Sequence, residues 1–357
     1  MGDITLSVAQ FRPELEGDGY VMSYVTQKVI YSRILKISRK DGLTGHGELI
    51  TDPGYDLATI FNMEDALLQE LKDLSFHEVL HLAAKLRARD CRYNALSFAL
   101  ETAYYDLLCK SANVPMYSVF GGSSDAPLAD YLSLSCEAPE KMASDMSVRA
   151  EGRRVVQIKL DGKSVDLNLA RIDAILPYLS KEQSLLLDFN GALDLDTAKV
   201  FASHYDDDRF IWEEPCYTYE ENRDFAEQSG KKTCFDQCLK SLAAITRACS
   251  DGVVSAAVVK PSHLGSLAIA QAARDILVAH SVPLRMDGVW CSPVAAAAVM
   301  HLAKSVPEKL LMTCIDLATP LILVDEWGGY TKNNGYLSLN GLAGHGVTIP
   351  ESLNFKL

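Results

Sequence analysis

At 357 residues, 48% apolar and 23% charged, the chain can bury an extensive core without a disulfide or metal staple, and its length suggests more than one domain. A formal charge of −13 argues against nucleic acid and anionic membranes as partners; an anionic small substrate stays open, since a bound cation can reverse the local field. No apolar run nears the roughly 18 residues of a membrane span, no signal-peptide pattern opens the chain, and nine scattered cysteines without a C-x-x-C pair suit a reducing, cytoplasmic setting.

In chain order, residues 24–40 alternate loosely with β-branched and aromatic side chains, turn at Asp41-Gly42 and resume through Gly45-His46-Gly47-Glu48, which predicts an antiparallel sheet. From Met63 to about Lys110, Leu, Ala, Glu and Lys recur at 3- and 4-residue spacing, which predicts helices, and Gly121-Gly122 closes this α+β region. Short apolar runs then fall at 131–136, 155–160, 184–188, 209–213, 233–236, 256–260, 283–286 and 311–316. Helical stretches such as 166–179, 195–205 and 239–248 separate them. Eight strand–helix units of this spacing predict a parallel sheet closed into a (β/α)8-type (TIM) barrel. An open doubly wound sheet is the alternative, but no Gly-rich phosphate turn follows the first run.

Five successive runs carry an ionisable residue at or beside the same end: Lys159, Asp188, Glu213, Asp236 and Lys260, and Asp287 follows the next. In a parallel barrel these ends meet at one mouth. Three converging carboxylates, Asp188, Glu213 and Asp236, repel one another unless a cation sits among them. All-oxygen ligands favour a hard ion, Mg2+ with Mn2+ as a substitute. Lys159 and Lys260, from strands on either side of the carboxylates, are placed to face each other across a substrate.

The order Lys, Asp, Glu, Asp, Lys on consecutive strands resembles the enolase superfamily, in its muconate-lactonizing and mandelate-racemase-like branch. Leu-Leu-Asp-Phe-Asn-Gly at 186–191, Ile-Trp-Glu-Glu-Pro at 211–215 and Cys-Phe-Asp-Gln at 234–237 are similar to the segments supplying its three metal ligands. Val-Lys-Pro-Ser-His-Leu-Gly at 259–265 resembles its second-lysine segment, and 99–106 its helix joining cap to barrel. The resemblance implies a capping domain over 1–122, a barrel over 123–325 that carries the site, and a C-terminal segment over 326–357 that returns to the cap. It also implies Mg2+-dependent removal of a proton α to a carboxylate, giving an enediolate, followed by racemisation, epimerisation or dehydration of an amino acid, betaine or hydroxy acid. Lys159 and Lys260 are then the acid/base pair. The partner expected is a small carboxylate-bearing substrate, and the chain is expected to form a homo-oligomer.

Three departures stand out. Where the branch carries Lys-x-Lys, this chain has Gln157-Ile158-Lys159, so one influence that depresses the Lys159 pKa is missing. The usual Asp-Glu at the third ligand is Asp236-Gln237. The segment 286–292, with Asp287 and Trp290, is similar to that of relatives acting on hydroxyproline and proline betaine; Trp290 could stack on a substrate ammonium or simply pack. With Asn190, these positions form the expected surroundings of substrate and ligands, and loops at 16–24 and 51–55 are expected to select the substrate.

Other readings remain open. His77-Glu78-Val79-Leu80-His81 matches H-E-x-x-H, with Glu101 downstream as a third zinc ligand, which would suit a zinc protease. Gln157 and Gln237 also fit a barrel that binds metal without catalysis. A Schiff-base lyase would use one lysine but has no need of three carboxylates.

Overall fold

The computed structural model describes residues 2–15, 17–50, 56–71, 74–123, 126–317 and 327–356. The 51–55 loop, Glu16 and the expected boundary near 325 lie outside them.

The chain starts with a three-stranded antiparallel sheet, Ile4–Phe11, Ser32–Arg39 and Thr44–Ile50, paired in that order. The sheet includes Ile4–Phe11, which the reading of 24–48 left out although its burial alternates. Residues 24–31 instead leave the sheet, and Thr26–Gln27 pairs with Tyr20–Val21 as a short hairpin. Helices Leu57–Glu70, Val79–Arg89 and Asn94–Ala112 follow. The third strand lies directly against the last of them. A Cβ at Gly45 would sit 2.1 Å from the Ala103 carbonyl oxygen, and one at Gly47 1.9 Å from that of Ala99. Glycine is required at both positions for the sheet and helix to touch.

Eight parallel strands then run in sequence: Leu132–Leu134, Val155–Lys159, Ser184–Asp188, Phe210–Glu213, Thr233–Phe235, Ala256–Val259, Leu284–Met286 and Leu311–Cys314. Each overlaps one of the eight apolar runs. Each pairs only with its sequence neighbours, as right-handed strand–helix–strand units require. The sheet curls around a shared interior. Val155, Leu186, Ile211, Cys234 and Val258 pack there with Met312 of the last strand and Tyr131 at the start of the first. Pairs of helices such as Val165–Ile175 and Leu242–Asp251 cover the outside, each started by a serine that accepts a backbone N–H.

Two buried carboxylates fix the N-terminal unit onto the barrel. Glu48 accepts from Ser292 N at 2.8 Å, Ser292 Oγ at 2.6 Å and Ala295 N at 3.2 Å, at the start of helix Pro293–Ala303. Glu101 accepts from Ser266 Oγ and Leu267 N, both at 2.7 Å, at the start of helix Leu267–Ala279. An anion at a helix N-terminus satisfies otherwise unpaired N–H groups and the helix dipole together. Because these helices follow the sixth and seventh strands, the contacts hold the N-terminal unit at the end of the barrel where the charged side chains gather. The C-terminal segment reaches this layer where Lys356 exchanges backbone bonds with Val8, while its hairpin Tyr330–Asn333/Tyr336–Leu339 pairs with Leu128–Ala129, just before the first barrel strand.

His345 of that segment, Asp106 of the long helix and His46 of the third strand form a buried polar junction, with His301 nearby. His345 Nε2 lies 3.2 Å and His46 Nδ1 3.8 Å from Asp106 Oδ2. Among the described residues this is the one group of three His, Cys, Asp or Glu side chains whose ligand atoms all lie within 4.8 Å of one another, but its chemistry is not that of a metal site. Val347 N donates to His345 Nδ1 at 3.0 Å, so the neutral ring carries its proton on Nε2, facing Asp106, and has no lone pair there for a metal. The Lys110 ammonium already sits 2.6 Å from the same carboxylate oxygen.

Burial pushes His345 down to about 3 and His301 to about 4, so both stay neutral in the folded chain, and it lowers His46 as well. In the unfolded chain they titrate near the ordinary 6.5. Unfolding therefore takes up protons below that pH, and stability falls as pH falls from about 6.5 toward 4, by up to about 1.4 kcal/mol per pH unit for each of His345 and His301. Urea unfolding from pH 7.5 to 5 should show this loss, with His345→Gln reducing the proton uptake at pH 5.5 by about one. An unchanged uptake would mean that His345 is charged in the fold.

Candidate active site

Parallel register brings the predicted charges together. Lys159 pairs with Asp188, and Asp188 with Glu213, across the second, third and fourth strands. Asp236 follows the fifth strand directly and Lys260 the sixth. All three carboxylates are buried. Lys159 Nζ contacts Asp188 Oδ2, and Lys260 Nζ lies 2.6 Å from Asp236 Oδ2. Gln157 Nε2 donates to Asp188 Oδ2 at 2.9 Å and to Glu213 Oε2 at 2.8 Å. A cavity of about 220 Å3 opens above them. Of the ten predicted positions, nine line it: Gln157, Lys159, Asn190, Glu213, Asp236, Gln237, Lys260, Asp287 and Trp290. The tenth, Asp188, joins through its bonds to Lys159 and Gln157.

Burial raises the Glu213 pKa; Arg285 opposes this, and Asp188 and Asp236 add to it. Burial also works against the Lys159 ammonium, but Asp188 and Glu213 outweigh it, and the Lys159 pKa is raised. Burial disfavours ionised Asp236 as well, yet Lys260 and His263 hold its pKa below the usual range.

Glu213 and Glu214, adjacent in sequence, have separate tasks. Glu213 faces the cavity, whereas Glu214, at a φ of 37°, turns away and accepts from Asp236 N at 2.9 Å and Cys238 N at 2.8 Å. Glu214 thus holds the loop that presents Asp236. Asn190, also at positive φ, donates its N–H to Asp188 Oδ1 at 2.9 Å. Asp287 accepts from Tyr131 Oη at 2.9 Å and Arg285 Nη2 at 2.8 Å. The Trp290 ring packs edge-on against Tyr20 at 4.5 Å, and its Nε1 donates to Asp316 at 3.2 Å.

Arg285 was not among the predicted residues. It is 1% exposed, and its Nη1 donates to Glu213 Oε2 at 2.7 Å. The signal was present: a lone arginine inside the apolar run Pro283-Leu-Arg-Met286 must find buried anions. Asp316, which ends the eighth run by the same rule that picked out the others, also lines the cavity.

The H-E-x-x-H stretch has a structural explanation. Glu78 accepts from Ser75 N at 3.0 Å as part of a capping box, His77 and His81 are exposed, and Glu101 is occupied at helix Leu267–Ala279. These side chains hold no common ligand geometry. The donor set at the barrel mouth, three buried carboxylates from adjacent strands, has the chemistry a hard divalent ion takes, although its oxygens do not all lie within 4.8 Å of one another as those of the Asp106 group do, and Gln157, Lys159 and Lys260 occupy them instead.

Residues 4–121 match the mandelate racemase/muconate lactonizing enzyme N-terminal domain, and residues 141–353 the enolase C-terminal domain-like family. The chain belongs to the mandelate racemase/muconate lactonizing branch of the enolase superfamily, an enzyme group. It is 27% identical to the cis-3-hydroxy-L-proline dehydratase of Roseibium aggregatum, over 90% of this chain and 89% of that one. It is 26% identical to the aromatic dipeptide epimerase of Herpetosiphon aurantiacus, over 90% and 92%. A solved enolase-superfamily structure from Roseovarius nubinhibens, complexed with magnesium, superposes with a TM-score of 0.88 at 23% identity, covering 99% of this chain and 97% of that one.

Arg285→Met leaves Glu213 and Asp287 buried without their counter-charge. A loss of about 3–5 kcal/mol is expected in urea unfolding at pH 7. Part of it should return at pH 5.5, where Glu213, its pKa already raised, takes up a proton. Wild-type stability at pH 7 would refute this account of Arg285.

Proposed function

We propose that the chain removes the proton α to the carboxylate of a small amino-acid-type substrate, with Mg2+ held by Asp188, Glu213 and Asp236 and with Lys159 and Lys260 exchanging protons on opposite faces. One observation carries this reading: both lysines, Glu213 and Asp236 line a single small cavity, and Asp188 lies just behind it, bonded to Lys159 and Gln157. At about 220 Å3 it is smaller than the roughly 300–1,000 Å3 of sites for drug-sized ligands, which suits an amino-acid-sized substrate.

Charge balance supports the same class. The lining carries four cations, Lys159, Lys240, Lys260 and Arg285, against Glu213, Asp236, Asp287 and Asp316, with Asp188 just behind. The resulting net charge of about −1 becomes +1 with a divalent ion, which favours a substrate carboxylate. A proton α to a carboxylate is weakly acidic because its removal adds a second negative charge to the same group. The bound ion would offset that charge on the substrate oxygens. Lys159 is held protonated by Asp188 and Glu213, so its neutral form requires those charges to be compensated. Lys260 faces the cavity four strands away and reaches the other substrate face. It either returns the proton there, giving the epimer, or protonates a departing β-hydroxyl. Similarity to a hydroxyproline dehydratase favours the second outcome, and similarity to a dipeptide epimerase the first.

Asp188→Asn, Glu213→Gln and Asp236→Asn should each weaken Mg2+ binding, measured by calorimetry, by about tenfold or more and abolish turnover while the circular dichroism spectrum stays native. Wild-type Mg2+ affinity in all three would remove the basis of the assignment. The lysines are separated by α-proton exchange in deuterated water, screened over amino acids, betaines and sugar acids. In an epimerase, Lys159→Ala and Lys260→Ala should each lose turnover yet keep exchange with one stereoisomer, a different one in each, because a base must lie within hydrogen-bond reach of its proton. In a dehydratase, one variant loses exchange and the other exchanges without eliminating. Full exchange in the double variant would show that neither lysine is the base.

A further inference from the structure

The hairpin 20–27 is bound to the barrel mouth by more than packing. Val21 N donates to Ser135 Oγ at 2.7 Å, and Val21 O accepts from Cys136 N at 2.9 Å. The buried Tyr20 hydroxyl lies 2.5 Å from Ser133 Oγ in the first barrel strand. Ser133 Oγ donates to Gln157 Oε1 at 2.6 Å, in the neighbouring strand at the paired register position. The Gln157 amide nitrogen then donates to both Asp188 and Glu213.

The direction of every bond in this chain is determined. The Gln157 amide must face its NH2 toward the two carboxylates, because its oxygen there would meet two anions. Its oxygen therefore accepts, Ser133 spends its single hydrogen on it, and Tyr20 must be the donor to Ser133. Lysine at 157 has no acceptor and could reach Ser133 only as a donor, so a relay in which Ser133 donates and Tyr20 donates to Ser133 requires the glutamine oxygen.

We propose that Tyr20, through Ser133 and Gln157, is a positioning residue that couples docking of the 20–27 hairpin to the orientation of the Asp188–Glu213 carboxylate pair. The inference rests on the reading of that pair as Mg2+ ligands. Its consequence is reciprocal, as any coupling between two sites must be: fixing the carboxylates favours the docked hairpin, and docking it favours the carboxylate geometry that holds the ion. The hairpin also brings Met22 and Tyr24 to the cavity wall, so the segment that lines the cavity would be the one that adjusts the carboxylate pair.

The test is Mg2+ affinity by calorimetry on full-length variants whose melting curves show them folded. Ser133→Ala should weaken Mg2+ by about tenfold and Tyr20→Phe, which keeps the ring packed on Trp290, by about threefold. Ser133→Thr keeps the hydroxyl and should restore affinity to within about twofold. Because Tyr20 acts through Ser133, the double variant Tyr20→Phe/Ser133→Ala should bind no worse than Ser133→Ala alone. Wild-type affinity in Tyr20→Phe, or a double variant showing the product of the two losses, overturns the relay. Asp188→Asn, run alongside, separates the two failures. If it binds Mg2+ as well as wild type, the ligand reading falls and the relay with it; if it is weakened while Tyr20→Phe is not, only the relay falls.

Discussion

The repulsion among buried carboxylates at one end of the barrel is the constraint around which the rest is arranged. Parallel strands in sequential order deliver Asp188, Glu213, Glu214, Asp236 and Asp287 to the same mouth. Two like charges about 4 Å apart repel by about 4 kcal/mol even at an effective dielectric near 20, and burial adds a desolvation cost to each. Every neighbouring feature reduces that cost. Arg285 lies between Glu213 and Asp287, Lys159 neutralises Asp188 and Lys260 neutralises Asp236, and Gln157 donates to both Asp188 and Glu213. Glu214 leaves the cluster through an unusual backbone angle and takes up N–H groups instead.

The same solution recurs where the N-terminal unit meets the barrel, but with helix ends in place of side-chain cations. Glu48 and Glu101 are buried carboxylates whose pKa values burial raises, and serine hydroxyls and backbone N–H groups bring them partway back. Removing either acid would strand several donors at once, so these contacts tolerate little rearrangement. They make the attachment stiff near the sixth and seventh strands. On the far side, near the first strand, the hairpin 20–27 is held by a few hydrogen bonds and one aromatic contact.

Features governed by periodicity were legible in the sequence; features governed by docking were not. Eight apolar runs at regular spacing, each with a charge at its end, were enough to place Lys159, Asp188, Glu213, Asp236 and Lys260 around one mouth, because parallel pairing fixes which ends coincide. Arg285 and Ser133 lie inside their strands rather than at the ends, where no run of apolar residues marks a charge or hydroxyl as belonging to the mouth. Tyr20 and Ser133 are 113 positions apart. Their contact depends on how the hairpin lies against the barrel, which no local pattern encodes. The strand expected from residue 24 failed for a related reason: 24–31 has strand-like composition, but its backbone pairs with 13–15 and 20–21 rather than within the three-stranded sheet. His77 and His81 met the spacing of a zinc motif while facing solvent.

The two glutamines that set this chain apart from the family pattern can be understood together. Gln157 stands where a lysine is usual and removes one positive charge; Gln237 stands where a glutamate is usual and removes one negative charge. Both line the cavity, so the net charge at the mouth is the same as with the usual pair. What changes is its distribution. Without a second lysine at the second strand, Lys159 has one fewer cation beside it to lower its pKa, and Asp188 and Glu213 keep it protonated. In exchange, the amide at 157 can do what an ammonium cannot, donating to two carboxylates while accepting from Ser133. The substitution therefore shifts the second strand from supplying charge to supplying orientation, and Lys159 depends more heavily on whatever neutralises the carboxylates beside it.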